Sequence, residues 1–267
     1  MTVNACVNVS VSHHYRDPSS ASEVVTQGLL GERLEVLEKT STHIHVRQED
    51  GYQSWVPEDL VTLEPEQQGE NILVRSHFTR IYELPDPQST PLREAVIGCT
   101  LSAIDEQGEW FRIALPDGTP GWAEKCHFGS FPGATVENIL DLAREFLGYS
   151  YLWGGRTPKG FDCSGFVQTV FRLHGVSLPR DSWQQQQQNL LSTNHLDARP
   201  GDLLFFSSIP GKVTHVAISL GDQQYIHASG WVRLDSFRET DSIFTQQRLS
   251  KFISVNRFLK PESVDRQ

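Results

Sequence analysis

Apolar and polar positions alternate with a period of two through the first half of the chain, and the alternation breaks at Asp50-Gly51 and Asp117-Gly118. This pattern between Asp-Gly turns predicts short antiparallel strands. The pattern also repeats. Sliding the sequence by 67 residues superposes Gly31-Glu32-Arg33-Leu34-Glu35-Val36 on Gly98-Cys99-Thr100-Leu101-Ser102-Ala103 without a gap. The same shift carries Ile44-His45-Val46 onto Phe111-Arg112-Ile113, and Asp50-Gly51 with Trp55 onto Asp117-Gly118 with Trp122. Each copy is about 60 residues, enough for one small barrel. Two barrels are expected, 1–66 and 67–132, each closing its own core around Trp55 or Trp122. The stretches Glu64 to Gly69 and Phe131-Pro132-Gly133 read as linkers.

After residue 134 the period changes to 3.6. Thr135 caps a predicted helix whose apolar stripe is Ile139, Ala143, Phe146 and Leu147, with Gly148 as the residue that ends it. A second helix is predicted from about Cys163 to His174, with Phe166, Val167, Val170 and Phe171 on one face and Gly175 after its end. Leu203 to Phe206, Val213 to Leu220 and Gln224 to Ala228 read as strands, and Gln184 to Gln188 as a helical turn. Helices followed by an antiparallel sheet predict an α+β domain over 133–267.

Composition narrows the function classes. The 267 residues carry 33 acidic against 23 basic side chains, a formal charge of −10, and no Lys/Arg cluster. Nucleic acid is therefore an unexpected partner, because basic clusters supply most of that affinity. No window reaches the roughly 18 apolar residues of a membrane-spanning helix, and the N-terminus lacks the basic head and apolar core of an export signal. Membrane is excluded as a partner on this reading, and a cytoplasmic location is expected. The four cysteines are widely spaced and the His pairs supply too few ligands, so neither a disulfide framework nor a metal or other cofactor is expected. Oligomeric state stays open.

Candidate chemistry begins at Cys163, in Gly160-Phe161-Asp162-Cys163-Ser164-Gly165-Phe166. A capping Asp places the thiol at a helix N-terminus, where the dipole and backbone N–H groups favour the thiolate. Two histidines follow, His215 and His227, on strands joined through Leu220-Gly221-Asp222. Val216, Ile218 and Ile226 form one apolar set, and His215, Tyr225 and His227 fall on the opposite parity. Placing His215 opposite His227 on one face requires a loop of odd length, because a two-residue turn puts them on opposite faces. A helix-borne thiol near two imidazoles on one sheet face has the logic of a nucleophile, a base and an orienting third group.

The order of glycine, two strands, Asp-Gly, then Trp followed by Val or Ala resembles bacterial SH3-type domains. Residues 148 to 164, GYSYLWGGRTPKGFDCS, with LPRDSWQQ at 178 to 185, RPGDLLFF at 199 to 206, THVAISLG at 214 to 221 and YIHAS at 225 to 229, resemble the NlpC family of papain-like cell-wall peptidases. The whole chain is similar to the γ-D-glutamyl-L-diamino acid endopeptidases of murein peptide recycling. The resemblance implies two all-β SH3-type barrels followed by an α+β papain-like cysteine peptidase domain. It implies Cys163 as nucleophile, His215 as base, His227 as third member and Tyr151 as an aid to the oxyanion. It also implies that Asp162 meets the free amine of L-Ala in a murein tripeptide or tetrapeptide, that Ser164 and Ser182, in Arg180-Asp181-Ser182, bind the D-Glu portion, and that Tyr52 closes the groove from the first barrel. The acidic residue that the family places in the first barrel falls here on Val25, with Glu23 two residues away.

The implied reaction is hydrolysis of the bond between γ-D-Glu and meso-diaminopimelate. Two rivals stand beside it: an exported hydrolase or toxin acting on intact peptidoglycan, and an inactive peptide-binding protein in which Cys163 is merely buried.

Overall fold

Asp-Gly at a turn supplies two things, a side-chain acceptor for the backbone two residues on and a residue that tolerates positive φ. Both turns use them alike. Gly51 and Gly118 have φ of 84° and 82°. Tyr52 N–H donates to Asp50 Oδ1, and Thr119 N–H to Asp117 Oδ1, each at 2.9 Å. The computed structural model describes residues 3–65 and 69–259. The expected linker from Glu64 to Gly69 lies partly outside these described residues. The chain divides into two compact units, 1–131 and 132–267.

In the first unit, seven strands form one sheet: β1 (Asn4–Val7), β2 (Val11–Tyr15), β3 (Val24–Leu29), β4 (Arg33–Lys39), β5 (His43–Arg47), β6 (Gln53–Pro57) and β7 (Val61–Leu63), in the order β3-β2-β6-β5-β4-β1-β7. Six more form another: β8 (Glu70–Leu73), β9 (Phe78–Tyr82), β10 (Pro91–Val96), β11 (Thr100–Gln107), β12 (Trp110–Ala114) and β13 (Pro120–Glu124), in the order β10-β9-β13-β12-β11-β8. Under the 67-residue shift β2, β3, β5 and β6 land on β9, β10, β12 and β13, residue for residue, and the strand order is the same apart from β7, which the first sheet adds at its edge.

One expectation about these copies is corrected. Trp55 and Trp122 are only half-buried; their strand neighbours Val56 and Ala123 carry the core at 0% exposure. Successive strand residues face opposite ways, so a tryptophan and the small residue after it cannot both point inward. Trp55 instead stacks on His45, directly opposite it, at 4.8 Å. Each copy does close a core of its own: in the first, Ala5, Val7, Leu34, Ile44, Val46 and Val56 are buried together. Leu29 and Leu30 of the first copy are buried in one cluster with Val74, Ile81, Val96, Leu101 and Ile113 of the second.

Among its described residues the second unit holds four α-helices, α1 (Val136–Glu145), α2 (Cys163–Leu173), α3 (Ser182–Gln186) and α4 (Gln246–Leu249). A two-residue ribbon, β14 (Arg156–Thr157) with β15 (Gly160–Phe161), precedes α2. The main sheet contains β16 (Leu190–Ser192), β17 (Leu203–Phe206), β18 (His215–Gly221), β19 (Gln224–Ser229), β20 (Trp231–Ser236) and β21 (Phe252–Asn256), in the order β16-β21-β17-β18-β19-β20. Thr135 caps α1 by accepting the Asn138 N–H at 3.1 Å. The helix stops earlier than expected: Phe146 is the C-cap and Leu147 is 41% exposed, outside the buried stripe. Gly148, at φ 86°, sends the chain to the sheet instead, donating its N–H to Val232 O at 2.8 Å.

Candidate active site

Asp162 accepts the Gly165 N–H at 2.7 Å and so caps α2, which sets Cys163 as the first helical residue. Helix α2 packs against β18 and β19. There the backbone N–H groups of Val216, the residue after His215, and of Ser164 bear on the thiol and favour its ionised form. Helix and strand thus bring Cys163 to the start of β18, beside His215.

The two imidazoles meet. His215 Nε2 lies 2.7 Å from His227 Nδ1, with ring planes at 84°. Their shared face follows from an unusual hairpin. Gly221 pairs with Gln224 around a two-residue tip, Asp222 and Gln223, both at positive φ (48° and 65°). A tip of that length alone would separate the rings to opposite faces. A bulge between Ser219 and Gly221 adds one residue and restores the odd parity, so that Ser219 pairs with Tyr225 and Ile218 with Ile226. This register corrects the expected pairing: carried onward, it sets His227 opposite Ala217, and the histidines meet on the diagonal.

Both rings are deeply buried, at 7% and 0% exposure. Leu204, Phe206, Ala217, Tyr225, Phe237 and Val255 form an apolar cluster on their face of the sheet. Burial holds His215 well below its ordinary value of 6.5, and neighbouring positive charge, from His227 first, works the same way. His227 is also lowered by burial, against the pull of Asp235. The thiol departs from the sequence expectation of an easily ionised cysteine. Burial and then the Asp162 carboxylate push it up to about 12, outweighing the N–H groups of Val216 and Ser164. At rest the pair is therefore neutral thiol and neutral imidazole, and the thiol must lose its proton to a base as it attacks.

Tyr151 is half-buried beside this pair. Its N–H donates to Gly230 O at 2.9 Å, which ties the segment after Gly148 to the end of β19. Burial, then Cys163 and Asp162, keep the phenol protonated by raising it above its ordinary range. It can donate a hydrogen bond near the sulfur.

Sequence reasoning did not pair Asp162 with Arg180. Arg180 is 1% exposed and donates from both terminal nitrogens to the two Asp162 oxygens, at 3.1 and 2.5 Å, and to Ser164 Oγ at 3.0 Å. Gly154 N–H donates to Asp162 Oδ2 at 3.0 Å, and Ser164 Oγ donates to Oδ1 at 3.2 Å. The Asp162 carboxylate is thus a buried anion already matched by a guanidinium. Asp181 precedes α3 and receives the Trp183 indole N–H at 3.3 Å, while its own N–H donates to Gln184 Oε1 at 3.2 Å. Ser182 is the first residue of α3, half-buried. Gln185 fastens that turn to the nucleophile's helix, donating to Ser164 O at 3.3 Å and Pro179 O at 2.8 Å. Cys163, His215, His227, Tyr151, Asp162, Ser164, Asp181 and Ser182 all belong to the second unit. Tyr52 lies in the first, at the Asp50-Gly51 turn.

The other residue missed is Asp235, on a strand that the hydropathy pattern did not predict. Its Oδ2 lies 3.0 Å from His227 Nε2, out of line with the ring N–H, and 3.1 Å from an Arg233 terminal nitrogen. The register His227↔Arg233 and Tyr225↔Asp235 was the signal that could have found it, since all four share one parity. Among the described residues one grouping could reach a metal ion, Glu124, Cys126 and His127, in the first unit. Its His127 is engaged by Ser76 Oγ at 3.0 Å and by Glu124 at 3.4 Å.

Residues 148–253 match the NlpC/P60 family, and residues 14–60 match the bacterial dipeptidyl-peptidase SH3 domain. A Bacillus cereus protein named gamma-D-glutamyl-L-lysine dipeptidyl-peptidase is 30% identical over 90% of this chain and 77% of its own length. The chain belongs to the NlpC/P60 family. Another similar protein, dipeptidyl-peptidase 6 of Lysinibacillus sphaericus, is 27% identical over 95% of this chain and 98% of its own. The crystal structure of an NlpC/P60 family protein from Bacillus cereus superposes with a TM-score of 0.83, at 23% identity, over 96% of this chain and all (100%) of the other. The NlpC/P60 match encloses the thiol, both imidazoles, Tyr151 and Asp235, and the SH3 match falls in the first copy of the repeat. No helix among the described residues is long and apolar enough to cross a membrane.

Proposed function

We propose that this NlpC/P60 protein is a cysteine endopeptidase that cuts murein peptides after γ-D-Glu, releasing L-Ala-D-Glu from peptides whose N-terminal L-Ala is free. The observation that carries the reading is the 2.7 Å contact between His215 and His227 on one sheet face, with Cys163 at the start of the helix that packs against that sheet. In this reading His215 takes the thiol proton as Sγ attacks the γ-carbonyl carbon. The backbone N–H of Cys163 and the Tyr151 hydroxyl steady the oxyanion. The proton then passes to the leaving amine of the diamino acid, and water hydrolyses the thioester.

The substrate side is supported by relatives. The name dipeptidyl-peptidase fits removal of an N-terminal dipeptide, and that of the Bacillus cereus relative specifies L-lysine after γ-D-glutamate. We take meso-diaminopimelate as the third residue; it is lysine with a carboxylate added at the far carbon. Asp162 meets the substrate ammonium and would share its charge with Arg180, while Ser164 and Ser182 receive the D-Glu portion. Acylating that amine removes the cation, so a muramyl peptide should be a poor substrate. A role in recycling murein fragments, in the cytoplasm, follows from that preference. The second copy of the repeat, with the strand order of the first, is read as a second SH3-type module ahead of an α+β catalytic domain.

The test is mass spectrometry of L-Ala-γ-D-Glu-meso-diaminopimelate, its L-lysine counterpart and their N-acylated forms after incubation with the wild type and Cys163→Ala. Release of L-Ala-D-Glu from the free peptides by the wild type alone is expected. Undiminished cleavage by C163A would overturn the nucleophile assignment, and equal rates on free and acylated peptides would overturn the recycling role.

A further inference from the structure

His215, His227 and Asp235 form a staircase across three neighbouring strands, each step a diagonal on one face of the sheet. The last step decides how the first works. A carboxylate is a hydrogen-bond acceptor only, so an imidazole nitrogen 3.0 Å from it is favoured as N–H and disfavoured as a lone pair. With the proton on Nε2, the neutral His227 ring keeps its lone pair on Nδ1. That lone pair faces His215 Nε2 at 2.7 Å, which must then be the N–H of the pair. His215 is left with its lone pair on Nδ1, the one ring atom still available to the thiol.

We propose that Asp235 is a positioning residue that sets the tautomer of both imidazoles, so that Nδ1 of His215 is the atom that accepts the Cys163 proton. This rests on the hydrolytic reading above and adds to it a residue and a direction for the relay. The polarity matters because a His227 carrying its proton on Nδ1 would donate to His215. The His215 proton would then sit on Nδ1, facing a thiol that it could no longer deprotonate.

Asp235 is built to stay anionic. It is 5% exposed. Burial works to protonate it, but the close approach and charge of His227, followed by Arg233, hold the carboxyl below its ordinary value. The charged and titratable groups facing His227 are His215 from β18, Tyr225 from β19, Arg233 and Asp235 from β20, and Arg248 from α4. Tyr225 stands with its ring 5.3 Å from His227, and burial followed by Asp235 keeps its phenol protonated. Arg248 is anchored to Ser229 Oγ at 2.7 Å. Asp235 is the sole anion in this set.

The test uses the full chain, ¹⁵N-labelled, as wild type, Asp235→Asn and Asp235→Glu. Long-range ¹H–¹⁵N spectra should show His227 protonated at Nε2 in the wild type and in D235E. They should show it protonated at Nδ1 in D235N, whose amide can donate to Nε2. Iodoacetamide alkylation of Cys163, followed by mass mapping, should slow in D235N, and kcat on the free tripeptide should fall about 10²-fold with KM unchanged. Its acid limb should move to lower pH, since an anion that favoured the imidazolium is gone; a loss of structure alone would leave that limb in place. A D235N variant that keeps Nε2–H on His227, with alkylation and kcat within about twofold of the wild type, would overturn the proposal. Spectra and alkylation need no peptide, so a wild type that fails to cut the tripeptide would sink the substrate reading and leave the tautomer result standing.

Discussion

His215 and His227 are buried bases kept without a proton, and this has a consequence for stability. In the unfolded chain an imidazole takes up a proton near pH 6.5, whereas the folded site resists it until well below that value. The unfolded state therefore binds more protons as the solution is acidified. Stability from the neutral rings is fully present above pH 6.5 and declines as pH falls below it. Urea unfolding of the wild type should show this loss between pH 7.5 and 5, and His215→Gln should show a shallower one. Parallel pH profiles would refute it. At this scale the sequence was informative about the thiol and the imidazoles, because helix capping and strand parity are local rules. Arg180 and Asp235 escaped it. Each acts by a pairing between distant segments, Arg180 with Asp162 and Asp235 with His227, and no period in the sequence marks such a pair.

Among the elements, α2 depends on a close approach at its first turn. A methyl group at Gly165 would stand 2.2 Å from the Gly155 carbonyl oxygen, a backbone atom fixed by the ribbon before the helix. Alanine would gain roughly 1 kcal/mol of helix propensity over glycine. Overpacking against an atom that cannot swing away costs about 1–3 kcal/mol and displaces the sulfur. We expect Gly165→Ala to unfold at lower denaturant and to lose kcat; a more stable variant would show that the ribbon yields. The same element scale exposed the limits of pattern reading. Helix α2 and strand β17 lie where their apolar spacing predicts. Strand β20 went unseen because Arg233 and Asp235 interrupt its apolar run, and these two polar side chains serve the histidine face. The hairpin was anticipated in parity and missed in form, since a bulge supplies the extra residue that a longer loop would have supplied.

For the molecule as a whole, the repeat was legible to the residue: the shift of 67 predicts which strands correspond and which glycines turn. Which residues fill the cores was not, because alternation alone does not say which parity faces inward or that Leu29 and Leu30 cross into the second copy's core. Leu30 is 0% exposed inside the cluster that the second copy builds. Leu30→Ala should therefore cost about 2–5 kcal/mol in the first unit. Hydrogen exchange should show that cost in the strands of the second copy; protection lost from the first copy alone would contradict the place of Leu30 in the second core.

That crossing of two leucines bears on how the protein can change over time. A duplicated module is usually free to be lost, multiplied or traded among genes, since each carries its own stability. Here each copy keeps a core of its own, but two leucines of the first lie in the second's, so removing the second copy would leave Leu29 and Leu30 facing water. The first copy cannot shed its neighbour without new side chains at those two positions.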